Sequence, residues 1–297
     1  QLFAAASRRN VKIVATLTGG PIYLASSSEP VDTTALLERW EKFVQAAADH
    51  FGDQVDFWEI SSAINSSHAM TPFLAPLSAE KFGPDPWLYT QLLRKAAKII
   101  RNVDANDQVW LGSLTGMASG DCAMSPLTFI LEVNAAKGWN SMDAILYQPD
   151  QGNAAPEFAS SILANSTCAT SLMETPPNLT AEVQAVQELA RQLGGKPVII
   201  TGLSWNDTYL EALSKSRGVS SEQVQADLLV RASAAMMSQN SIATIFWNTD
   251  IAENTSSFNA LANLQKSLQN AKPLGQTKQS EDSLYVYRFR NGGEFTL

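Results

Sequence analysis

Short apolar segments alternate with longer amphipathic segments along most of the chain. The short segments are rich in β-branched and aromatic residues, which predicts strands. They are VKIVATL, VDFWEI, VWLGSL, MDAILYQ, PVIITGL and SIATIFW. Their nearly continuous apolar character is typical of parallel strands that are buried on both faces. A succession of such strands, each followed by a helix, indicates an α/β fold with a parallel sheet.

The longer segments have the spacing of amphipathic helices, and Asp, Ser or Thr near several of their starts provides N-caps. We predict helices over residues 34–51, 87–102, 126–137, 181–193, 221–239 and 259–269, and another in QLFAAASRR. Long loops rich in aromatic, Ser and Asn residues follow the strands, whereas return loops such as RRN and FGDQ are short. Ligand-facing loops at one end favour a closed barrel over an open sheet.

The two ends of the sequence modify this interpretation. Because QLFAAASRR leads directly into the first strand, we expect a TIM-type (β/α)8 barrel that lacks its first two strands in this chain. We expect an upstream part of the same polypeptide to supply them, since an open sheet edge promotes aggregation. SLYVYRFRNGGEFTL alternates like an antiparallel hairpin. We therefore predict a barrel with strands three to eight at 1–275 and the beginning of a β-sheet segment at 276–297.

Composition restricts the ligands. With 21 basic and 29 acidic residues the net charge is −8, which argues against nucleic acid or an anionic membrane surface as a partner. No apolar stretch approaches the ~20 residues of a membrane span. There is no Gly-rich phosphate loop and no Gly-x-Ser-x-Gly elbow, so we expect no cofactor. His50, His68, Cys122 and Cys168 show no paired ligand spacing, so we expect no metal.

Several features favour a secreted or cell-surface protein. Cys122 and Cys168 lie in segments that resemble loops, where they form either a disulfide bond or two buried thiols. Small polar residues are in surplus over Lys and Glu, as in many exported proteins. Asn-x-Ser/Thr sequons, which matter only if the source glycosylates secreted proteins, occur at Asn65, Asn165, Asn178, Asn206 and Asn254.

The segment VDFWEISSAIN resembles the strand-four signature of clan A glycoside hydrolases, above all the xylosidase and iduronidase-like branch. That signature reads close to Val-x-x-Trp-Glu-x-Trp-Asn-Glu-Pro-Asn. The neighbouring segments RWEKFVQAAADHFGDQV and DPWLYTQLLRKAAKIIRNVDANDQVWLGSL are similar to the family's flanking helices and fifth strand. KPVIITGLSWND resembles the strand-seven pattern, and the SIATIFW segment resembles strand eight. The resemblance covers nearly the whole chain and implies a (β/α)8 barrel.

The same resemblance implies that both catalytic positions are vacant. In the family the acid/base is the Glu of Asn-Glu-Pro, and the alignment places Ser62, Ala63 and Ile64 at these three positions. The family's nucleophile is the Glu that follows Thr on strand seven, where Gly202 follows Thr201 here. Because retaining hydrolysis needs both carboxyl groups, we expect ordinary glycosidase activity to be absent.

Other carboxylates near strand ends are candidates for a displaced site: Glu59, Asp143, Asp150, Asp207 and Asp250. Glu59 lies inside a strand, where we expect a buried carboxylate bonded to neighbouring polar groups. We expect Asp207 and Asp250 to be solvated loop residues. Asp150 closely follows a strand end and is the most site-like, although no partner at a fixed spacing is visible.

Aromatic residues at the predicted rim could provide a platform for a sugar ring. Tyr147, Trp205 and Trp247 are the candidates, with Ser62 as a further binding residue, and simple packing is the competing interpretation. His68, in the long loop after strand four, is either a ligand residue or merely exposed. For the remaining tryptophans we predict core or interface packing: Trp40, Trp58, Trp87, Trp110 and Trp139.

We therefore expect a non-catalytic, glycoside hydrolase-like domain of a secreted or cell-surface protein. Its role would be structural or interactive, with carbohydrate or other subunits of an extracellular assembly as partners and with residual carbohydrate binding. Two alternatives stay open. One is an active glycoside hydrolase that uses displaced carboxylates, and the other is a carbohydrate-binding module, because fold alone does not determine function.

Overall fold

A computed structural model describes residues 2–9, 11–19, 32–74, 81–160, 168, 178–239, 242–245, 255–277, 284–292 and 294–296. The chain divides into two compact units. The first comprises Gln1–Thr115, Asp121–Tyr147 and Leu189–Pro197. The second comprises Gly116–Gly120, Gln148–Glu188 and Val198–Leu297.

The first unit has parallel strands that alternate with helices. Its strands are β1 Val14–Leu17, β2 Phe57–Ile60, β3 Gln108–Thr115 and β4 Ala144–Gln148. They are neighbours in chain order, and β1, β2 and β3 pair in parallel. Its helices are α1 Leu2–Arg8, α2 Thr33–Phe51, α3 Thr71–Leu74, α4 Pro86–Val103 and α5 Pro126–Ala135. This alternation is the predicted α/β pattern.

The second unit combines parallel pairs with an antiparallel sheet. Strands β6 Val198–Ile200 and β8 Ile242–Ile245 pair in parallel, as do the short strands β5 Asp150–Gly152 and β7 Ser204–Trp205. The antiparallel sheet has the order β11 Glu294–Thr296, β10 Tyr287–Asn291, β9 Lys272–Gln276. The helices are α6 Leu179–Gln192, whose last turn belongs to the first unit, α7 Asp207–Arg217, α8 Ser221–Met237 and α9 Ser256–Leu268.

Side-chain caps mark where several of the helices begin. The Asp85 carboxylate accepts hydrogen bonds from Trp87 N at 3.1 Å and Leu88 N at 2.9 Å at the start of α4. Asp32 caps α2 in the same way, and Ser220 and Thr255 cap α8 and α9. Each cap satisfies amide groups that have no partner inside the helix. At these four helices the polar residue at the start therefore marks the helix boundary.

The core of the first unit lies between the sheet and its helices. Trp58 and Ile60 of β2 are fully buried, and the Trp40 indole of α2 donates to Leu92 O of α4 at 2.9 Å. The buried Tyr89 hydroxyl of α4 donates to Ile60 O at 2.9 Å and accepts from Gly112 N at 2.8 Å. One phenol thus satisfies a backbone group on each of two adjacent strands.

The strands and helices predicted from periodicity are confirmed to within a few residues at their ends. Helix α7 was not predicted, since its sequence DTYLEALSKSR is mostly polar and only Leu210 is buried. The pair β5 and β7 is too short to show an alternating pattern. The C-terminal hairpin is confirmed, and β9 joins it from within the segment predicted as barrel. The boundary at 275 stays a prediction.

Burial confirms most of the packing expected for tryptophan. Trp40, Trp58, Trp110 and Trp139 are buried. Trp87 is 57% exposed at the first turn of α4, so it is not a core residue. Core packing is thus wrong for Trp87, because the residue lies on the solvent face of an amphipathic helix, and interface packing stays a prediction.

The alternative left open for the cysteines is resolved in favour of oxidation. Cys122 and Cys168 are both disulfide-bonded. Both are also buried.

Among the described residues, no helix combines the length and the apolar character needed to cross a bilayer.

Replacing Tyr89 with Phe tests the bridge between β2 and β3. The substitution keeps the ring but leaves a buried amide and a buried carbonyl without this partner, so we expect a loss of about 1–3 kcal/mol of unfolding free energy. Urea denaturation at constant m-value measures it. Tyr209→Phe is the control, since that hydroxyl makes no hydrogen bond with the described residues. Equal losses in both variants would contradict the assigned role of Tyr89.

Candidate functional site

The turn after β2 is strained at the predicted acid/base position. Ser61 and Ala63 have φ values of 65° and 49°, a region that L-residues rarely adopt. Such residues each cost on the order of 1–3 kcal/mol and persist where surrounding contacts enforce them. Ser66 N donates to Ala63 O at 3.0 Å, and Ile64 N donates to Ser113 O at 3.1 Å. Ala63 is half-buried, and Ser62 is exposed.

The side chain of Asn65 holds this turn in place. Its Oδ1 accepts from Thr115 N at 2.7 Å, and its Nδ2 donates to Thr115 O and to Met124 O, each at 2.9 Å. Its own carbonyl accepts from Ala123 N and Met124 N. Asn65 is fully buried. One amide thus joins the end of β2 to the end of β3 and to the loop beyond, which offsets the cost of the strained residues.

Glu59 lies on β2, four residues before Ala63, and is half-buried. One carboxylate oxygen accepts from Thr16 Oγ1 at 2.6 Å, and the other accepts from Ser113 N at 3.0 Å. Burial raises its pKa, and the hydrogen bonds from Thr16 and Ser113 oppose that shift. The expectation of a carboxylate bonded to neighbouring polar groups is confirmed.

In the second unit, Gly202 follows β6 at the predicted nucleophile position. A Cβ added there would lie 3.8 Å from the Gln148 side chain, which is ordinary van der Waals contact. A Cβ at Gly116 would instead lie 2.4 Å from Asp150 N, so close approach requires glycine at Gly116 but not at Gly202. The buried Thr201 Oγ1 has no hydrogen-bond partner among the described residues. The fold therefore does not itself require glycine at Gly202.

Asp150 lies in β5, immediately beyond β4, and is half-buried. Its Oδ1 accepts from Gly152 N at 2.8 Å, and Asp150 pairs with Ser204 in the register of β5 and β7. Burial raises its pKa, while the hydrogen bonds from Gly152 and Ser119 lower it. Sequence reasoning found no partner at a fixed spacing, because Ser119 comes from a distant loop.

The predicted aromatic platform is corrected for two of its three rings. Tyr147 is 0% exposed, and Trp205 is 6% exposed with its indole donating to Ala154 O at 2.8 Å. Neither ring offers an open face to a sugar. Both side chains are buried, which is the competing packing interpretation that the sequence left open. Trp247 lies outside the described residues.

The positions and contacts of the other candidate side chains differ from one residue to the next. Asp143 precedes β4, accepts from Val109 N at 2.8 Å and forms an ion pair with Arg101 at 2.9 Å. It thus lies at the amino end of its strand, contrary to expectation. Asp207 is exposed, as expected, but it lies in the first turn of α7 and not in a loop. His68 is half-buried, with Nδ1 3.4 Å from Ser67 Oγ. Asp250 lies outside the described residues.

Sequence reasoning missed the role of Asn65. The residue was noted as part of a sequon, and it also stands at the final Asn of the resembling signature, but neither observation shows that its amide is buried. Across the described ranges, no three His, Cys, Asp or Glu side chains lie together as a metal site would need.

Solved structures of glycoside hydrolases share this fold. A family 39 glycoside hydrolase from the gut symbiont Bacteroides cellulosilyticus WH2 has a TM-score of 0.66 at 16% identity, over 99% of this chain and 58% of that one. The Ignisphaera aggregans GH53 catalytic domain has a TM-score of 0.52 at 14% identity, over 83% and 64% of the two chains. A structure from a study of two fungal β-1,4-galactanases has a TM-score of 0.52 at 12% identity, over 83% of this chain and 70% of that one.

This likeness confirms the α/β fold of TIM-barrel type that the resemblance implied. At such identities it concerns the fold and leaves the activity open. The chain spans 58% of the length of the family 39 enzyme. No family model matches the sequence, and no curated protein matches it.

The carboxyl group of Glu59 gives a pH dependence that can be measured. Because its pKa is raised in the folded state, Glu59 contributes stability below its ordinary pKa and loses that contribution as the pH rises through the folded value. We expect the unfolding free energy of the wild type, relative to Glu59→Gln, to fall as the pH rises from acidic to neutral. Urea titrations across this range measure it, with the exposed Glu211→Gln as control. A difference that is constant or grows with pH would contradict the assignment.

Proposed function

We propose that this chain is a non-catalytic, glycoside hydrolase-like domain with a structural or interaction role and residual carbohydrate binding. The observation that carries the proposal is the chemistry of two positions. Ala63 and Gly202 align with the two glutamates of the resembling family, and neither has a carboxyl group. The shared fold of the glycoside hydrolases described above supports the alignment.

Loss of these groups removes the retaining route. A methyl group at Ala63 transfers no proton to a leaving oxygen, and Gly202 has no atom that can attack an anomeric carbon. Removing a positioned acid or base alone lowers rates by roughly two to four powers of ten. Removing the nucleophile as well leaves no covalent intermediate. A Cβ at Gly202 would make only ordinary van der Waals contact with Gln148, so packing around this position does not explain why glycine stands there.

Polar side chains at the carboxyl ends of strands support weak binding. In the first unit Ser62 is exposed on the strained turn after β2, and in the second unit Gln148 is exposed at the end of β4. The buried rings of Tyr147 and Trp205 remove most of the stacking area that tight sugar binding needs. Binding that depends on polar contacts alone would be weak, which fits an auxiliary role.

A secreted or cell-surface location is part of the proposal. Both cysteines are disulfide-bonded, and such bonds persist mainly in oxidising compartments. The net charge of −8 disfavours nucleic acid as a partner and suits neutral or polar ligands. Other subunits of an extracellular assembly are the second class of partner that we propose.

An enzyme with displaced carboxylates is the second candidate. The raised pKa values of Glu59 and Asp150 favour it, because a general acid needs a carboxyl group that holds its proton. However, both oxygens of Glu59 accept hydrogen bonds from within the unit, and Asp150 accepts from Gly152 and Ser119. Catalysis would have to break these contacts, so we favour the non-catalytic domain.

Binding and turnover measured together test the proposal. The purified protein is titrated calorimetrically with xylo-, gluco-, manno- and galacto-oligosaccharides while released reducing sugar is assayed. We expect weak binding of at least one oligosaccharide and no release, because no carboxyl group stands at Ala63 or Gly202. Glu59→Gln and Asp150→Asn are the matched variants, with Asp207→Asn as control. Release that either matched variant abolishes would overturn the proposal in favour of a displaced active site.

A further inference from the structure

The chain contains five Asn-x-Ser/Thr sequons, and the structure describes the asparagines of three: Asn65, Asn178 and Asn206. N-linked glycans attach to the side-chain nitrogen Nδ2 and need space around it. The three residues differ sharply in what this nitrogen contacts. The sequons at Asn165 and Asn254 lie outside the described residues.

Asn65 cannot carry a glycan in this fold. Its side chain is fully buried, and its Nδ2 donates to Thr115 O and Met124 O, each at 2.9 Å. A sugar on Nδ2 would remove at least one of these bonds and would have to fit into a close-packed interior. A chain modified at Asn65 before folding would therefore fail to form the turn after β2.

Asn178 is also engaged through its amide. Its Nδ2 donates to Glu157 O at 3.1 Å, and its Oδ1 accepts from Ala181 N at 2.9 Å at the start of α6. The residue is half-buried. A glycan on Asn178 would compete with the contact to Glu157, whose buried carboxylate pairs with Arg231.

Asn206 has the opposite surroundings. It is exposed, as are Asp207 and Thr208, the other two residues of its sequon. Its Oδ1 accepts from Tyr209 N at 2.8 Å and so caps α7. Its Nδ2 makes no hydrogen bond with the described residues. The helix cap uses the oxygen and glycosylation uses the nitrogen, so the two are compatible.

The state of the cysteines provides an independent indication. Cys122 and Cys168 are disulfide-bonded. In eukaryotes the compartment in which nascent secreted proteins form disulfides is also the one in which they receive N-linked glycans. A chain that is oxidised in that compartment therefore also encounters the oligosaccharide transferase, and Asn206 is exposed in the folded chain.

We propose that Asn206 carries an N-linked oligosaccharide and that Asn65 and Asn178 do not. In the transfer, Nδ2 of Asn206 attacks the anomeric carbon of a lipid diphosphate-linked oligosaccharide. The bond from that carbon to the phosphate oxygen breaks, the lipid diphosphate leaves with the bonding electrons, and Nδ2 loses one proton to the transferase. No oxidant or reductant is needed.

The position of Asn206 determines which part of the second unit the glycan would cover. The residue follows β7 directly, its backbone amide donates to Gly152 O at 2.9 Å, and β7 pairs with β5 through Ser204 and Asp150. The glycan would stand at the carboxyl end of the second unit's strands, four residues beyond Gly202. It would hinder access of a polymer to that end, independently of whether the chain is catalytic.

Peptide mapping of protein secreted by its natural source tests the proposal. Treatment with peptide N-glycosidase in heavy-oxygen water converts each glycosylated Asn to labelled Asp, and mass spectrometry of the peptides locates the label. We expect label at Asn206 and unlabelled Asn65 and Asn178. Unlabelled Asn206, or label at Asn65 or Asn178, would overturn the proposal.

Two variants expressed in the same source provide a matched check. Asn206→Asp keeps an oxygen that caps α7 but removes the attachment nitrogen, and Thr208→Ala keeps Asn206 but destroys the sequon. Both should be secreted with an intact mass lower by one glycan, whereas Ser67→Ala, which destroys the sequon at Asn65, should lose only one oxygen atom. Unchanged glycan content in Asn206→Asp would contradict the assignment, even if the oligosaccharide titrations support the proposed function.

Discussion

Parallel strand pairing is the constraint from which the rest of each unit follows. Parallel neighbours cannot be joined by a tight hairpin, so the chain must return along a crossover before each new strand. In the first unit α2 and α4 make such returns, and Trp40, Trp58 and Ile60 fill the space between helices and sheet. The same rule gathers the carboxyl ends of a unit's strands at one edge, where the loops that carry polar side chains begin.

At the carboxyl ends of the first unit's strands the backbone is strained, but the polar side chains of Asn65 and Glu59 have hydrogen-bond partners within the unit. Positive φ angles at Ser61 and Ala63 are typical of functional turns, yet the side chain at Ala63 has no chemistry. The Asn65 side chain forms hydrogen bonds with Thr115 and Met124. Both carboxylate oxygens of Glu59 accept hydrogen bonds, from Thr16 and Ser113. The polar groups of Asn65 and Glu59 thus make their hydrogen bonds within the first unit.

The sequons show that a local sequence motif does not reveal whether its asparagine is exposed or buried. Asn65 and Asn206 share the same motif, but the first is enclosed by β3 and the following loop and the second caps an exposed helix. The distinction depends on residues distant along the chain, including Thr115 and Met124 for Asn65. A motif in sequence therefore indicates a site only after the partners of its atoms are known.

The sequence by itself determined the alternation of strands and helices, because hydrophobic periodicity and capping residues act over a few neighbouring positions. It also determined the absence of carboxyl groups at Ala63 and Gly202, since that is a matter of residue identity. Only the tertiary structure decided that Tyr147 and Trp205 are buried, that Trp87 is exposed and that Ser119 contacts Asp150. Burial and pairing of this kind arise from packing between segments far apart in the chain, which no local pattern encodes.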